Sequence, residues 1–384
     1  MGNKIKKIAI VFSGDFPEGN TKNARLKIVA NQLHDSDWET TFYSVYPYRF
    51  SKDISHEQPK VWSNFRVLYF SIGRKYPSLM VLRFIQILFA HIAVLWWSIF
   101  LAGKYDAIYY YNPRWTDALL SLCINSMLGR KTVVDQTELF SSGVNDKWHK
   151  TEEKIIAKYA SLLLLISKKL HSHYKKLRSY DIYQFPIMVD IKRFGLATKE
   201  IPFTMGYIGS FASKDGVDLL LQAVKKVSET LPQIKLRLIG HNPNPKSLQN
   251  DLIGLNLQNL VEITGTVSYE EVSRLLLECD TLLMNRDHSN FASYGYPIKL
   301  GEYFACKKPV LMSNGEGFSQ DFENCNQVYK YDVDSVESLV EVILYRYNHM
   351  SESNALAKRG YQYAIDHFDY TKRDLFLANM LNKL

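Results

Sequence analysis

Lys299 and Glu302 stand three residues apart in the stretch 294–311, YGYPIKLGEYFACKKPVL. Gly295 and Pro297 set a turn, and the spacing predicts a helix with Lys299 and Glu302 on one face near its start. Backbone N–H groups at such a start, beside a lysine, can meet phosphate, and a carboxylate one turn in can accept from two ribose hydroxyls. Tyr294, Gly295 and Leu300 lie in the same segment and join the candidate nucleotide site. The other reading is an ordinary capped helix with an exposed lysine and glutamate.

Three further stretches carry groups able to do chemistry. Residues 203–224, FTMGYIGSFASKDGVDLLLQAV, read as a strand, a loop from Gly209 to Gly216 and an amphipathic helix. Lys214 sits in that loop, beside N–H groups that suit phosphate; a solvated loop lysine is the competing reading. Glu138 follows the strand KTVVD at 131–135, either facing the ligand side of a parallel sheet or capping the next helix. The loop 14–20, with Gly14, Asp15, Phe16, Gly19 and Asn20, opens after an apolar run at 5–13 and reads as a ligand-contacting loop. It lacks the G-x-G-x-x-G of a dinucleotide site.

Metal and cofactor signals are weak. Asp332, Val333 and Asp334 spell D-x-D, but a helix follows at once, so Asp334 or Ser335 reads as its cap. His171 and His173 are two apart and do not share a helical face. Cys123, Cys279, Cys306 and Cys325 show no paired spacing, which speaks against a disulfide framework or zinc and fits a reducing cytoplasm. No metal or cofactor is expected.

The elements that must position these groups alternate strand and helix. Apolar runs at 5–13, 40–46, 66–70, 107–112, 131–135, 162–166 and 182–185 form a first set, and 203–208, 235–240, 261–264, 281–285, 310–312 and 327–331 a second. Residues 195–202, GLATKEIP, read as a linker. The expected domains are 1–195 and 200–367, with a C-terminal helix in 368–384 packing back on the first. The basic run at 1–7 precedes too short an apolar core for a secretory signal.

Charge divides unevenly. The net charge is +8; residues 1–200 hold 29 Lys+Arg against 17 Asp+Glu, and residues 201–384 hold 18 against 22. A basic first half suits an anionic partner such as a membrane surface, though a solvated basic surface gives the same balance. Basic residues do not form a stripe with interleaved aromatics, so no nucleic-acid partner is expected. The segment 77–102 is the most apolar in the chain, carries no formal charge from Phe84 to Ala102, and has a length close to that of a bilayer span. A span is excluded because the strands on either side of it belong to one sheet. It is either a helix buried on the sheet or one dipping into the membrane interface; Trp96 and Trp97, with Arg74, Lys75, Arg83 and Lys104 nearby, favour membrane contact.

Together these stretches resemble the GT-B glycosyltransferases, specifically glycosyltransferase family four, over nearly the whole chain. GYIGSFASKDGVDLLLQAV is similar to the family's glycine-loop and lysine segment. YGYPIKLGEYFACKKPVL is similar to the G-x-P-x-K-x-x-E-Y-x-A form found in capsule and O-antigen transferases. DQTELFSS, ISKKL and FPIMVDIKRF resemble segments of the first domain. Tyr294 stands where the family commonly has a first glutamate, Ser210 where it has an arginine, and Thr137 where it has a histidine.

The resemblance implies an α/β fold of GT-B type, with two Rossmann-like doubly wound parallel-sheet domains facing across a cleft. It implies sugar transfer from a nucleotide diphosphate sugar to a hydroxyl, retaining and metal-independent, with Lys214 on the donor pyrophosphate and Glu302 on its ribose. Gly209 and Ser210 would let backbone approach the phosphates, Lys299 would add a contact, and Gly240, Thr264 and Gly265 would border the base. Glu138 and the 14–20 loop would face the acceptor, a lipid-linked saccharide in surface polysaccharide synthesis. The expected location is the cytoplasmic face of the plasma membrane. Two alternatives stand: a catalytically silent nucleotide-binding subunit, and a nucleotide-sugar epimerase of the same fold.

Overall fold

The computed structural model describes residues 5–14, 16–17, 21–46, 61–71, 78–143, 146–195, 203–211, 215–242, 244–286, 293–315, 317–322, 326–373 and 376–384. The chain divides into two compact units. The first comprises residues 1–186 and 373–384, the second residues 187–372.

In the first unit, strands β1 (Lys6–Phe12), β2 (Trp38–Ser44), β3 (Val61–Trp62), β4 (Phe65–Tyr69), β5 (Ala107–Tyr111), β6 (Thr132–Gln136), β7 (Leu162–Leu165) and β8 (Ile182–Gln184) form one sheet in the order β3-β4-β2-β1-β5-β6-β7-β8. Every pairing is parallel except the short β3–β4 hairpin. β1, β5 and β7 are near-continuous apolar runs because helices cover both faces of a parallel sheet. The helices are α1 (Thr21–His34), α2 (Met80–Phe100), α3 (Leu119–Met127), α4 (Phe140–Gly143), α5 (Lys147–Tyr159) and α6 (Lys168–Lys175). Asp146 caps α5 and Ser167 caps α6, each accepting from the backbone N–H three residues on.

A buried ion pair ties this unit together. Arg25 on α1 donates from Nε and Nη2 to Asp135 on β6 at 2.7 and 2.9 Å, and both side chains are buried. Tyr109 Oη donates to the same carboxylate at 2.5 Å. The guanidinium also donates to the carbonyls of Phe185 and Pro186, both at 2.8 Å.

α2 departs from a core helix. Gln86, Ala90, Val94, Trp97 and Ser98 make a narrow buried stripe at helical spacing. On the other face Val81, Phe84, Ile85, Leu88, Ile92, Trp96 and Ile99 are exposed, and 22% of its most apolar window is buried. Its C-terminal carbonyls are met by Arg130, which donates to those of Ser98 and Ile99.

In the second unit, β9 (Thr204–Ile208), β10 (Lys235–Ile239), β11 (Val261–Gly265), β12 (Thr281–Met284), β13 (Val310–Asn314) and β14 (Tyr329–Asp332) form a parallel sheet in the order β11-β10-β9-β12-β13-β14. The helices are α7 (Val217–Ser228), α8 (Pro245–Gly254), α9 (Tyr269–Leu277), α10 (Ile298–Ala305), α11 (Val336–Asn348) and α12 (Met350–His367). α7 buries Val217, Leu220, Leu221, Val224 and Val227, one face at the 3.6-residue period, against the sheet. Ser335, after the D-x-D, caps α11 by accepting from Ser338 N.

The division at residue 186 precedes the boundary at 195 read from composition. Residues after Pro186 pack in the second unit: Val189 pairs with Asp369, and Ile187 and Val189 lie against Gly301. Residues 196–202 of the expected linker lie outside the described residues. α13 (Phe376–Lys383) belongs to the first unit, where Phe376 stacks on Phe185 and Asn382 accepts from Lys6.

Candidate functional site

In an open parallel sheet, ligands bind beyond the strand C-termini where neighbouring strands send their chains to opposite faces. In the second unit that point lies between β9 and β12. Glycines line its rim. Gly209 follows β9, Gly240 follows β10, and Gly265 ends β11. Gly209 N donates to Ile239 O at 3.0 Å, and Gly240 N to Gly265 O at 3.1 Å. Gly240 has φ +134°, and a Cβ there would lie 2.0 Å from Gly209 O. The three strand ends thus present bare backbone.

Gly240→Ala is expected to lower the melting temperature, since the backbone conformation alone costs about 1–3 kcal/mol in a residue with a side chain. Thermal melts of the two proteins check this.

A charged cluster lies under this rim. Lys299 on α10 donates to Tyr207 Oη at 2.8 Å, its Nζ 4.1 Å from the ring centroid and 3.7 Å from Asp215 Oδ1. Ser210 donates to Asp215 Oδ2 at 3.2 Å. Asn285, just past β12, donates to the carbonyls of Asp215 and Gly216 at 3.1 and 3.0 Å and accepts from Tyr331 Oη at 2.8 Å. The loop between Gly209 and Gly216 is therefore pinned at both ends. Lys214, Asp15, Gly19 and Asn20 lie outside the described residues.

Glu302, one turn along α10, is buried, with Oε1 3.2 Å from Arg193 Nη2. Burial pushes its carboxyl above the ordinary range, an effect opposed by Arg193. Lys307, in the left-handed region at φ +54°, ends the helix where glycine is commoner.

Two expected contacts take other roles. Leu300 is fully buried, so its side chain packs the core and does not face a nucleotide. Phe16 is fully buried too, its ring centroid 4.3 Å from that of Phe42, so its side chain belongs to the first unit's core. Thr264 closes on its own strand, donating to Gly265 O at 3.0 Å. Tyr294 and Gly295 lie, half-buried, just before α10.

In the first unit the corresponding point lies between β1 and β5. Gly14 follows β1 with φ +93°, its carbonyl accepting from Ser44 Oγ at 2.7 Å. Nearby, Asp117 is half-buried and accepts from Arg114 N at 2.7 Å; desolvation raises its pKa. Glu138 is half-buried, and its carbonyl accepts from Gln136 Nε2 at 2.8 Å. Thr137 accepts from Asn112 Nδ2 at 2.7 Å and donates its N–H to Asn112 Oδ1 at 2.7 Å, which fixes the backbone ahead of Glu138.

Sequence reasoning passed over Arg193, Asp215, Asn285, Asn112 and Asp117. The signal for Asn285 was a polar residue directly after the apolar strand TLLM.

Two Rossmann-like parallel-sheet units with glycine-lined strand ends define a GT-B protein. Solved structures agree. Sucrose-phosphate synthase from Thermosynechococcus elongatus is 14% identical, with a TM-score of 0.77 over 98% of each chain. Anabaena Alr3699/HepE in complex with UDP and glucose is 16% identical, with a TM-score of 0.74 over 98% of this chain and 100% of that one. Residues 188–363 match the family described as Glycosyl transferases group 1, so the second unit carries such a domain. An uncharacterized glycosyltransferase of Methanocaldococcus jannaschii, MJ1178, is 27% identical over 128 residues, 32% of this chain and 33% of that protein. The matched stretches span about a third of the curated relatives' length.

Proposed function

We propose that the chain transfers a sugar from a nucleotide diphosphate sugar to a hydroxyl of a lipid-linked saccharide, in surface polysaccharide synthesis. The observation that carries this is the glycine rim over the Lys299–Tyr207–Asp215 cluster, with Glu302 one turn along the same helix, inside the stretch that matches the transferase family. Backbone approach at Gly209 and Gly240 suits the diphosphate. Glu302 accepts from the ribose hydroxyls through Oε2 while Arg193 holds Oε1. Departure of the diphosphate builds negative charge, which Lys214, Lys299 and backbone N–H groups stabilise. The leaving phosphate takes the acceptor proton in a same-face, retaining route. Glu138 of the first unit orients the acceptor. UDP is the first nucleotide to try, because it is bound in the HepE structure.

The test is transfer from labelled UDP-, GDP- and ADP-sugars to lipid-linked saccharides by the purified full chain. Neither transfer nor donor hydrolysis with any of them would sink the proposal; nucleotide binding without turnover would point instead to a silent subunit.

The proposed location is the cytoplasmic membrane face. α2 offers an exposed apolar face rather than a core one, and the first half carries the basic excess. Each large side chain buried in lipid contributes about 1.5–3 kcal/mol, and anionic lipid adds attraction. Flotation with phosphatidylglycerol-containing vesicles is expected to carry the chain up, and the double change Leu88→Asp, Ile92→Asp to cut the bound fraction at least about tenfold. Dimerisation without flotation, read by sedimentation, would assign the face to a second copy and overturn this location.

A further inference from the structure

Arg286 directly follows Asn285 at the same switch point. Its backbone is locked: N donates to Ser313 Oγ at 3.0 Å, and O accepts from that hydroxyl at 3.1 Å. Asn285, one residue earlier, reaches the carbonyls of Asp215 and Gly216. Position 286 is thereby held next to Asp215 and Gly216, the end of the glycine loop that follows β9. The guanidinium lies 5.8 Å from the Phe318 ring centroid and close enough to Tyr207 to act on its phenol electrostatically. It is thus part of the group of charges around Tyr207.

Charge balance gives this arginine a task. The Lys299 ammonium sits against Asp215 and donates to Tyr207, so its charge is offset where it lies. Once the sugar has left, the terminal phosphate remaining on the nucleotide carries about −1.5 to −2 at neutral pH. An arginine presents paired N–H donors that match phosphate oxygens and keeps its charge when desolvated. Strand ends of opposite crossover sense approach a bound group from two sides.

We infer that Arg286 binds the donor diphosphate from the β12 side, across from the glycine loop. This rests on the donor reading above. It adds a cation that neither the Lys214 loop nor the Lys299–Glu302 helix supplies.

The full-length chain and its Arg286→Gln and Arg286→Lys variants are titrated with UDP, GDP and ADP and with the matching monophosphates. For the preferred base, Arg286→Gln should weaken diphosphate binding about ten- to a hundredfold and monophosphate binding less, because a bidentate charge-assisted contact is lost. Arg286→Lys should recover part of the diphosphate loss, and the melting temperatures of all three proteins should stay close. Diphosphate affinity unchanged in Arg286→Gln, with Glu302→Gln weakening it, would overturn this inference and leave the donor reading intact. Equal losses for both ligands with a lowered melting temperature would assign Arg286 a structural role and also overturn it. No binding of any nucleotide by the unaltered chain would overturn the donor reading and this inference with it.

Discussion

Glu302→Ala is expected to abolish sugar transfer and to destabilise the second unit, by two separable routes. The carboxylate shares a buried environment with Arg193, whose own pKa burial lowers. Removing one partner of a buried pair leaves an uncompensated charge and costs about 3–5 kcal/mol. Glu302→Gln keeps the shape and an acceptor for Arg193, so it should be milder in denaturant unfolding while still losing the charge proposed to accept from the ribose hydroxyls. Because burial raises the Glu302 pKa, the linked stability is fully present at acidic pH and is lost as pH climbs through the shifted value. The glutamine variant should lack that slope when melting temperature is followed against pH. Unimpaired nucleotide binding and turnover in Glu302→Ala would remove Glu302 from the site.

The second large effect lies in the first unit. Asp135→Ala strands the Arg25 guanidinium, fully buried, without its carboxylate partner among Tyr109, the Phe185 ring and the carbonyls of Phe185 and Pro186. The expected cost is again about 3–5 kcal/mol, a large share of the 5–15 kcal/mol that holds a typical domain folded. The variant should express mainly as insoluble protein. A paired Arg25→Met, Asp135→Leu change removes both charges and should recover much of the loss, because apolar replacement of a whole buried pair is often neutral. Urea unfolding of the soluble fraction checks the ordering. If Asp135→Ala unfolds at the same urea concentration as the unaltered chain, the pair does not hold the unit together.

What could be read beforehand follows from the range of each interaction. The strand–helix alternation is legible because each β-strand is a short apolar run closed by a turn residue, and the glycines at 209, 240 and 265 mark strand ends directly. Arg25 and Asp135 lie 110 positions apart, and Arg193 and Glu302 lie 109 apart. No local period links such partners, so both pairs needed coordinates. Leu300 and Phe16 were drawn into the site by their neighbours' chemistry. Leu300 stands two positions from Glu302, about 200° round the helix, which motif membership does not resolve. Composition marks the polar stretch at 195–202, whereas the change of unit at residue 187 is made by apolar packing on Gly301. β3 is a two-residue strand, too short to show a period.

Because α13 belongs to the first unit, the order in which the two units can mature is the reverse of their order along the chain. A ribosome has threaded out all of residues 187–372 before the segment that covers Phe185 emerges. The leading unit must therefore wait, with α1 and the end of β8 uncovered, while the trailing one completes itself, since units of this kind form as wholes during synthesis. A tag or truncation at the C-terminus would consequently injure the unit that was translated first.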